Sequence, residues 1–105
     1  MEAFEVDGIE ASRLAAGQLY HEFLRVDAMS AGLYVLRARE DDPQTPHAQD
    51  ELYNVVSGRG RFRVEGHDRP VGPGSIIYVE AGAEHRFHTI TKDLTVLVVF
   101  APPEE

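Results

Sequence analysis

Residues 51–64 read Glu51-Leu52-Tyr53-Asn54-Val55-Val56-Ser57-Gly58-Arg59-Gly60-Arg61-Phe62-Arg63-Val64. Glu51–Val56 has strand composition, Ser57-Gly58-Arg59-Gly60 has turn chemistry, and Arg61–Glu65 starts a second strand. Successive strand side chains point to opposite faces, so Gly60, Phe62 and Val64 share one side and Arg59, Arg61 and Arg63 the other. Those arginines read either as an anion-binding stripe or as a solvated face paired with carboxylates. In an acidic chain the second reading is favoured, and it sets them outside any barrel interior.

The same grammar extends outward. Leu19–Val26 and Gly32–Ala38 lie on either side of Asp27–Ala31, and Glu40–Pro46 is a polar loop bracketed by prolines. Downstream, Gly66-His67-Asp68, Val71-Gly72-Pro73-Gly74 and Glu80-Ala81-Gly82-Ala83 punctuate the chain. Between and after them come Ser75–Val79, His85–Thr91 and the apolar Leu94–Ala101, then a Pro102-Pro103-Glu104-Glu105 tail. Many short strands at regular turn spacing predict an all-β sandwich or barrel. Residues 8–18 alone are helix-friendly, enough for a helical turn or a loop. With no repeat or linker, residues 1–105 are expected to form one domain, its barrel spanning about 19–101.

Composition narrows the function. The chain has 105 residues, 18 acidic against 10 basic, a formal net charge of −8 and no cysteine. This excess of negative charge disfavours phosphate-neutralising contacts, so no nucleic-acid partner is expected. No apolar run approaches the roughly 20 residues that span a bilayer, so no membrane partner is expected either. The acidic N-terminus lacks a signal peptide's basic flank and apolar region. Zero cysteines exclude disulfides, thiolate zinc sites, iron–sulfur clusters and cysteine nucleophiles, and suit a cytoplasmic protein. Any metal must be held by His, Asp, Glu or weaker oxygen ligands.

Three residues meet that requirement. Spaced by four in an extended segment, His47 and Glu51 point the same way, with Tyr53 and Val55 continuing the face. In the later strand His85, Phe87 and Thr89 share a face. If the two faces meet inside one barrel, His47, Glu51 and His85 form a two-histidine, one-carboxylate set. Such a set suits iron(II), manganese, zinc or nickel and leaves coordination positions open. Tyr53 is the one candidate acid–base group, although it also reads as aromatic core. With Phe87, it is a candidate substrate contact. His88 has the wrong parity to join His85, while His67 lies in a surface turn and His21 reads as structural. Lys92, the only lysine, follows in a turn, which argues against Schiff-base chemistry.

Two motifs in register carry a resemblance to the cupin family. His47-x3-Glu51-x6-Gly58 matches the second half of that family's G-x5-H-x-H-x3,4-E-x6-G motif. Gly74-x5-Glu80-x-Gly82-x2-His85-x3-Thr89 has the spacing of its G-x5-P-x-G-x2-H-x3-N motif, and 15 residues separate Gly58 from Gly74. The resemblance covers at least residues 33–100 and implies a small type-2 cupin, a double-stranded β-helix (jelly roll) with a short N-terminal segment. The departures are specific. Thr45 stands where the family's first histidine falls, Arg39 for the upstream glycine, Glu80 for the proline and Thr89 for the asparagine. The family's metal set is thereby reduced to His47, Glu51 and His85, with water, Gln44 or Gln49 for a fourth position.

What the resemblance implies is a divalent-metal site acting on a small organic molecule, as an oxygenase or isomerase. The alternative is a non-catalytic barrel that binds a small ligand, with or without metal. A homodimer is also expected, because Leu52 and Val56 lie opposite Glu51 and need cover from the N-terminal segment or a second subunit.

Overall fold

The computed structural model describes residues 1–43 and 45–104. It contains one helix, α1 (Val6–Ala16), and six strands. These are β1 (Tyr20–Arg25), β2 (Ser30–Leu36), β3 (Asp50–Val64), β4 (His67–Val71), β5 (Ile76–Val79) and β6 (His85–Ala101). All pairings are antiparallel, in the order β1-β2-β6-β3-β4, with β5 also on β3. The all-β jelly roll expected from the sequence is the fold observed.

The helix-friendly segment is a full helix of 11 residues. Its buried positions, Ile9 and Arg13, are one turn apart. Gly17 ends it in the left-handed conformation, with backbone hydrogen bonds from Gly17 to Leu14 and from Gln18 to Arg13 closing the last turn. α1 packs on β1 and β2, and Phe4 meets Phe23 edge-on at 4.9 Å between ring centroids.

Two expected turns are absent. Ser57–Gly60 does not reverse the chain, because β3 runs unbroken through it for 15 residues. Likewise β6 is one strand of 17 residues, and Lys92 lies within it opposite Arg59. The reason is that β3 and β6 pair along nearly their whole length and bend together. The register shifts between Val55 and Arg61 absorb the curvature. At this bend Gly58 has φ 98°, and a Cβ there would lie 2.1 Å from the Asp93 carbonyl oxygen. A turn-forming residue type here serves a bent strand.

The bend gives the two long strands distinct halves. Residues 50–57 of β3 pair with residues 95–101 of β6 and carry β5 on the other edge. Residues 59–64 pair with residues 85–92 and carry β4. Folded together, the halves enclose a core that includes Tyr53, Val55, Phe62, Phe87, Leu94 and Val96, each at most 1% exposed. The outer face of β3 and β5 stays open: Leu52, Val56, Ile76 and Tyr78 are 36–64% exposed. The N-terminal segment covers β1 and β2 instead.

Candidate metal centre

Glu51 comes from the start of β3 and His85 from the start of β6, and both point into the barrel at 2% and 4% exposure. His47 precedes β3 rather than lying in a strand, so strand parity is not what aims it. Its segment is fastened by two hydrogen bonds to the turn before β6. Gly82 N–H donates to the His47 carbonyl at 2.8 Å, and Ala81 N–H donates to Asp50 Oδ1 at 2.8 Å.

The three side chains converge. Nε2 of His47 and Nε2 of His85 each lie 3.5 Å from Glu51 Oε1, and the three offer ligand atoms within 4.8 Å of one another. Metal–ligand bonds of about 2.0–2.2 Å fit that span after small side-chain adjustments. His85 Nδ1 faces the Ala83 carbonyl at 2.8 Å. A carbonyl only accepts, so Nδ1 carries the hydrogen and the neutral ring presents the Nε2 lone pair inward. His47 Nε2 and Glu51 Oε2 are buried with no hydrogen-bond partner among the described residues. Unsatisfied buried acceptors are costly, and a cation in their midst satisfies both. The donor set therefore fits a divalent metal.

Electrostatics reinforce the cluster. Burial works against a charge on His85, but its interaction with Glu51, the Ala83 carbonyl and the Asp42 charge outweigh it and raise the imidazole pKa above its ordinary value. The Tyr53 hydroxyl lies 3.0 Å from His85 Nε2, to which it donates when the ring is neutral. Its ring is fully buried against Phe62 and Phe87, with centroids 5.6 and 5.2 Å away. Phe87 itself packs in the core at 4.6 Å from Phe62. Gln49 is buried at 6% exposure, Thr45 is exposed, and Gln44 lies outside the described residues.

The two histidines open onto different cavities. His85 lines one of about 610 Å³, along with Asp42, Thr45, Arg63, Glu84 and Arg86. His47 lines a smaller, more apolar one of about 200 Å³ with Tyr20, Tyr34, Val98, Phe100 and Glu104. The Tyr20 hydroxyl is buried with no partner among the described residues. Its ring lies over Gly32, where a Cβ would come within 2.2 Å. Burial, then the charges of Glu104, Glu22 and Glu51, push the Tyr20 phenol pKa upward, so it stays a donor.

Three contributors were not foreseen. Asp42 is buried at 6% exposure, accepting the Phe87 N–H at 2.9 Å and the Tyr34 hydroxyl at 3.3 Å, which ties the segment around it to β6. Its only sequence signal was an Asp before Pro43, which marks a turn and not an inward carboxylate. Tyr20 and Glu104 lie near opposite ends of the chain, and no spacing rule connects either to His47. Of the other histidines, His88 and His21 behave as expected, whereas His67, expected in a turn, begins β4 opposite Val64. His88 bonds Asp68 at 2.7 Å on the outer side, His21 faces the Gln18 side chain at 2.9 Å, and His67 is exposed.

A jelly-roll barrel with two histidines and a carboxylate at its inner wall defines the class of protein. The chain belongs to the cupin domain family, whose pattern matches residues 32–100. It is 53% identical over 104 residues to an uncharacterised protein of Streptomyces coelicolor, covering 99% of both. It is 32% identical over 73 residues to the dimethylsulfoniopropionate lyase DddQ of Ruegeria pomeroyi, covering 69% of this chain and 33% of the lyase. This chain thus spans about a third of the lyase's length. The crystal structure of an RmlC-like cupin protein from Desulfovibrio desulfuricans superposes with a TM-score of 0.78 at 20% identity, covering 98% of each chain. At that identity the likeness speaks to the fold. No helix among the described residues is long and apolar enough to cross a membrane.

Proposed function

We propose that this chain binds a divalent metal through His47, Glu51 and His85 and acts on a small organic molecule in the barrel. The observation that carries this reading is the convergence of two imidazoles and a carboxylate around buried acceptors without partners. A bound ion would supply Lewis acidity, and as iron(II) it would also supply dioxygen chemistry. The chain's own residues supply the rest. The aromatic walls beside His47 exclude water and hold an apolar substrate body. The unpartnered Tyr20 hydroxyl is available to a polar group, and the Tyr53 hydroxyl, which a metal on His85 Nε2 would release from its hydrogen bond, would hold or donate a proton. Isomerase and oxygenase chemistry both suit such a centre. The partial likeness to a lyase adds lyase chemistry to these candidates.

Elemental analysis of untagged protein beside a His47→Ala, His85→Ala double variant tests the reading. Near-stoichiometric metal in the wild type and none in the variant is expected, and the metal's identity selects the assays. A wild type that stays empty after incubation with iron(II), manganese, nickel and zinc overturns it. The alternative, a non-catalytic binding barrel, would then show as ligand-dependent thermal stabilisation without turnover. The absence of cysteine suits the cytoplasm. The exposed face of Leu52, Val56, Ile76 and Tyr78 suits pairing with a second copy, since α1 covers the sheet elsewhere. A monomer in sedimentation analysis would remove that second proposal.

A further inference from the structure

Glu51 and His85 are aimed by strands, but His47 is not, and its side chain is 21% exposed. Something outside the strand ladder must orient its ring. The C-terminal tail lies against it. Glu104 is held by its own backbone: its N–H donates to Ser30 Oγ at 2.9 Å, and its carbonyl accepts from Arg25 at 2.7 Å. Ser30 is fully buried, so the anchor is rigid. From this position the Glu104 carboxylate lies 3.0 Å from His47 Nδ1, while Phe100 packs 5.0 Å from the ring.

We propose that Glu104 is a positioning residue for the candidate metal centre: its tail-anchored carboxylate accepts the Nδ1–H of His47 and turns Nε2 toward Glu51 and His85. The inference rests on the metal reading given above. A carboxylate without a proton can only accept, so the neutral imidazole partnered by it carries its hydrogen on Nδ1 and its lone pair on Nε2. That is the arrangement His85 reaches through the Ala83 carbonyl. Both rings thus have Nδ1 tied to an acceptor outside the cluster and Nε2 facing inward. Partners of this kind fix the tautomer and ring angle of a ligating histidine and raise its basicity. The sequence distance between His47 and Glu104 leaves this pairing to the fold alone.

The test uses the full chain with ¹⁵N-labelled histidine, metal-free at about pH 8, above the ordinary histidine range near 6.5. Imidazole nitrogen shifts read the His47 tautomer, and nickel(II) titration reads affinity. The wild type is expected to show a single Nδ1–H form. Glu104→Gln, which keeps an acceptor oxygen, retains that form and binds nickel(II) close to wild-type strength. Glu104→Ala shows mixed tautomers and binds nickel(II) about 10–100-fold more weakly. An unchanged His47 tautomer in Glu104→Ala overturns the inference, whatever happens to affinity. So does a changed tautomer with unchanged nickel(II) affinity. If the wild type binds no nickel(II) or other metal while Glu104→Ala still shifts the tautomer, the metal reading fails and the orientation of His47 by Glu104 stands.

Discussion

Two histidine–carboxylate clusters share β6, one on each side of the sheet, with His47 before β3 joining the inner one and Asp68 of β4 the outer one. Inside, His85 shares Glu51 with His47. Outside, three residues further along β6, His88 shares Asp68 with Arg61 and Arg63, at 2.7, 2.8 and 3.0 Å. The outer cluster is complete, its carboxylate saturated by donors in contact with water. The inner one leaves Glu51 Oε2 and His47 Nε2 without partners among the described residues. The same side-chain chemistry is therefore satisfied where solvent and arginines complete it, and left with open buried acceptors where burial leaves it unfinished.

Removing the inner carboxylate breaks the contrast most strongly. Glu51→Gln is expected to lower metal affinity beyond the roughly 10–100-fold that loss of an outer partner costs. Calorimetric titration checks that. The same change should stabilise the metal-free protein, on the order of 1 kcal/mol, because it neutralises a buried carboxylate and its amide can donate to His47 Nε2. A lower melting temperature for metal-free Glu51→Gln would contradict that account.

The pH dependence of the two clusters should differ next. A raised pKa means that the fold favours the protonated form of His85, so this contribution is full below about pH 6.5 and disappears as pH rises through the folded value. Metal needs the neutral ring, so its stabilisation grows over the same interval. Melting temperatures measured between about pH 6 and 8 should therefore slope in opposite directions with and without metal. Parallel slopes would deny that His85 is a ligand. At Asp68, desolvation pushes the carboxyl pKa up, but hydrogen bonds from Arg61, His88 and Arg63 outweigh it and hold it below 3.8. Its contribution is present above that value and lost as pH falls through the folded one, so only acid should reveal it.

Tyr53→Phe separates packing from chemistry within the inner cluster. The ring keeps its contacts with Phe62 and Phe87, and the lost hydroxyl costs about 1 kcal/mol. Metal content should hold while any turnover falls. Retained turnover would make Tyr53 a core residue only. The smallest effect belongs to Asp68→Asn, which should leave metal binding unchanged and lower the melting temperature slightly. A loss of metal in that variant would mean that the clusters are coupled through β6.

How much of this was legible differs by residue. His47, Glu51 and His85 came from spacing and motif register, and Glu51 and His85 lie where strand parity puts them. His47 reached the cluster for another reason, since it precedes the strand and is placed by hydrogen bonds to the 80–83 turn. Gly58 has the sequence signature of a reversal because glycine-rich turns and strand bends use the same residue types. Which one forms depends on whether a partner strand continues alongside, and here β6 does.

The strand-rich architecture, most inward and outward faces and the candidate ligand side chains could be read along the chain, although Thr89, expected inward, takes φ 47° and is exposed while Ile90 is buried at 3%. Those properties follow from a two-residue period and local turn chemistry, which act within a few residues. The closed barrel alone sets Asp42 against Tyr34 and the Phe87 N–H, lays Tyr20 over Gly32 and returns Glu104 to His47. Each of these joins residues with no periodic relation, and a contact of that kind exists only once the barrel has closed around it.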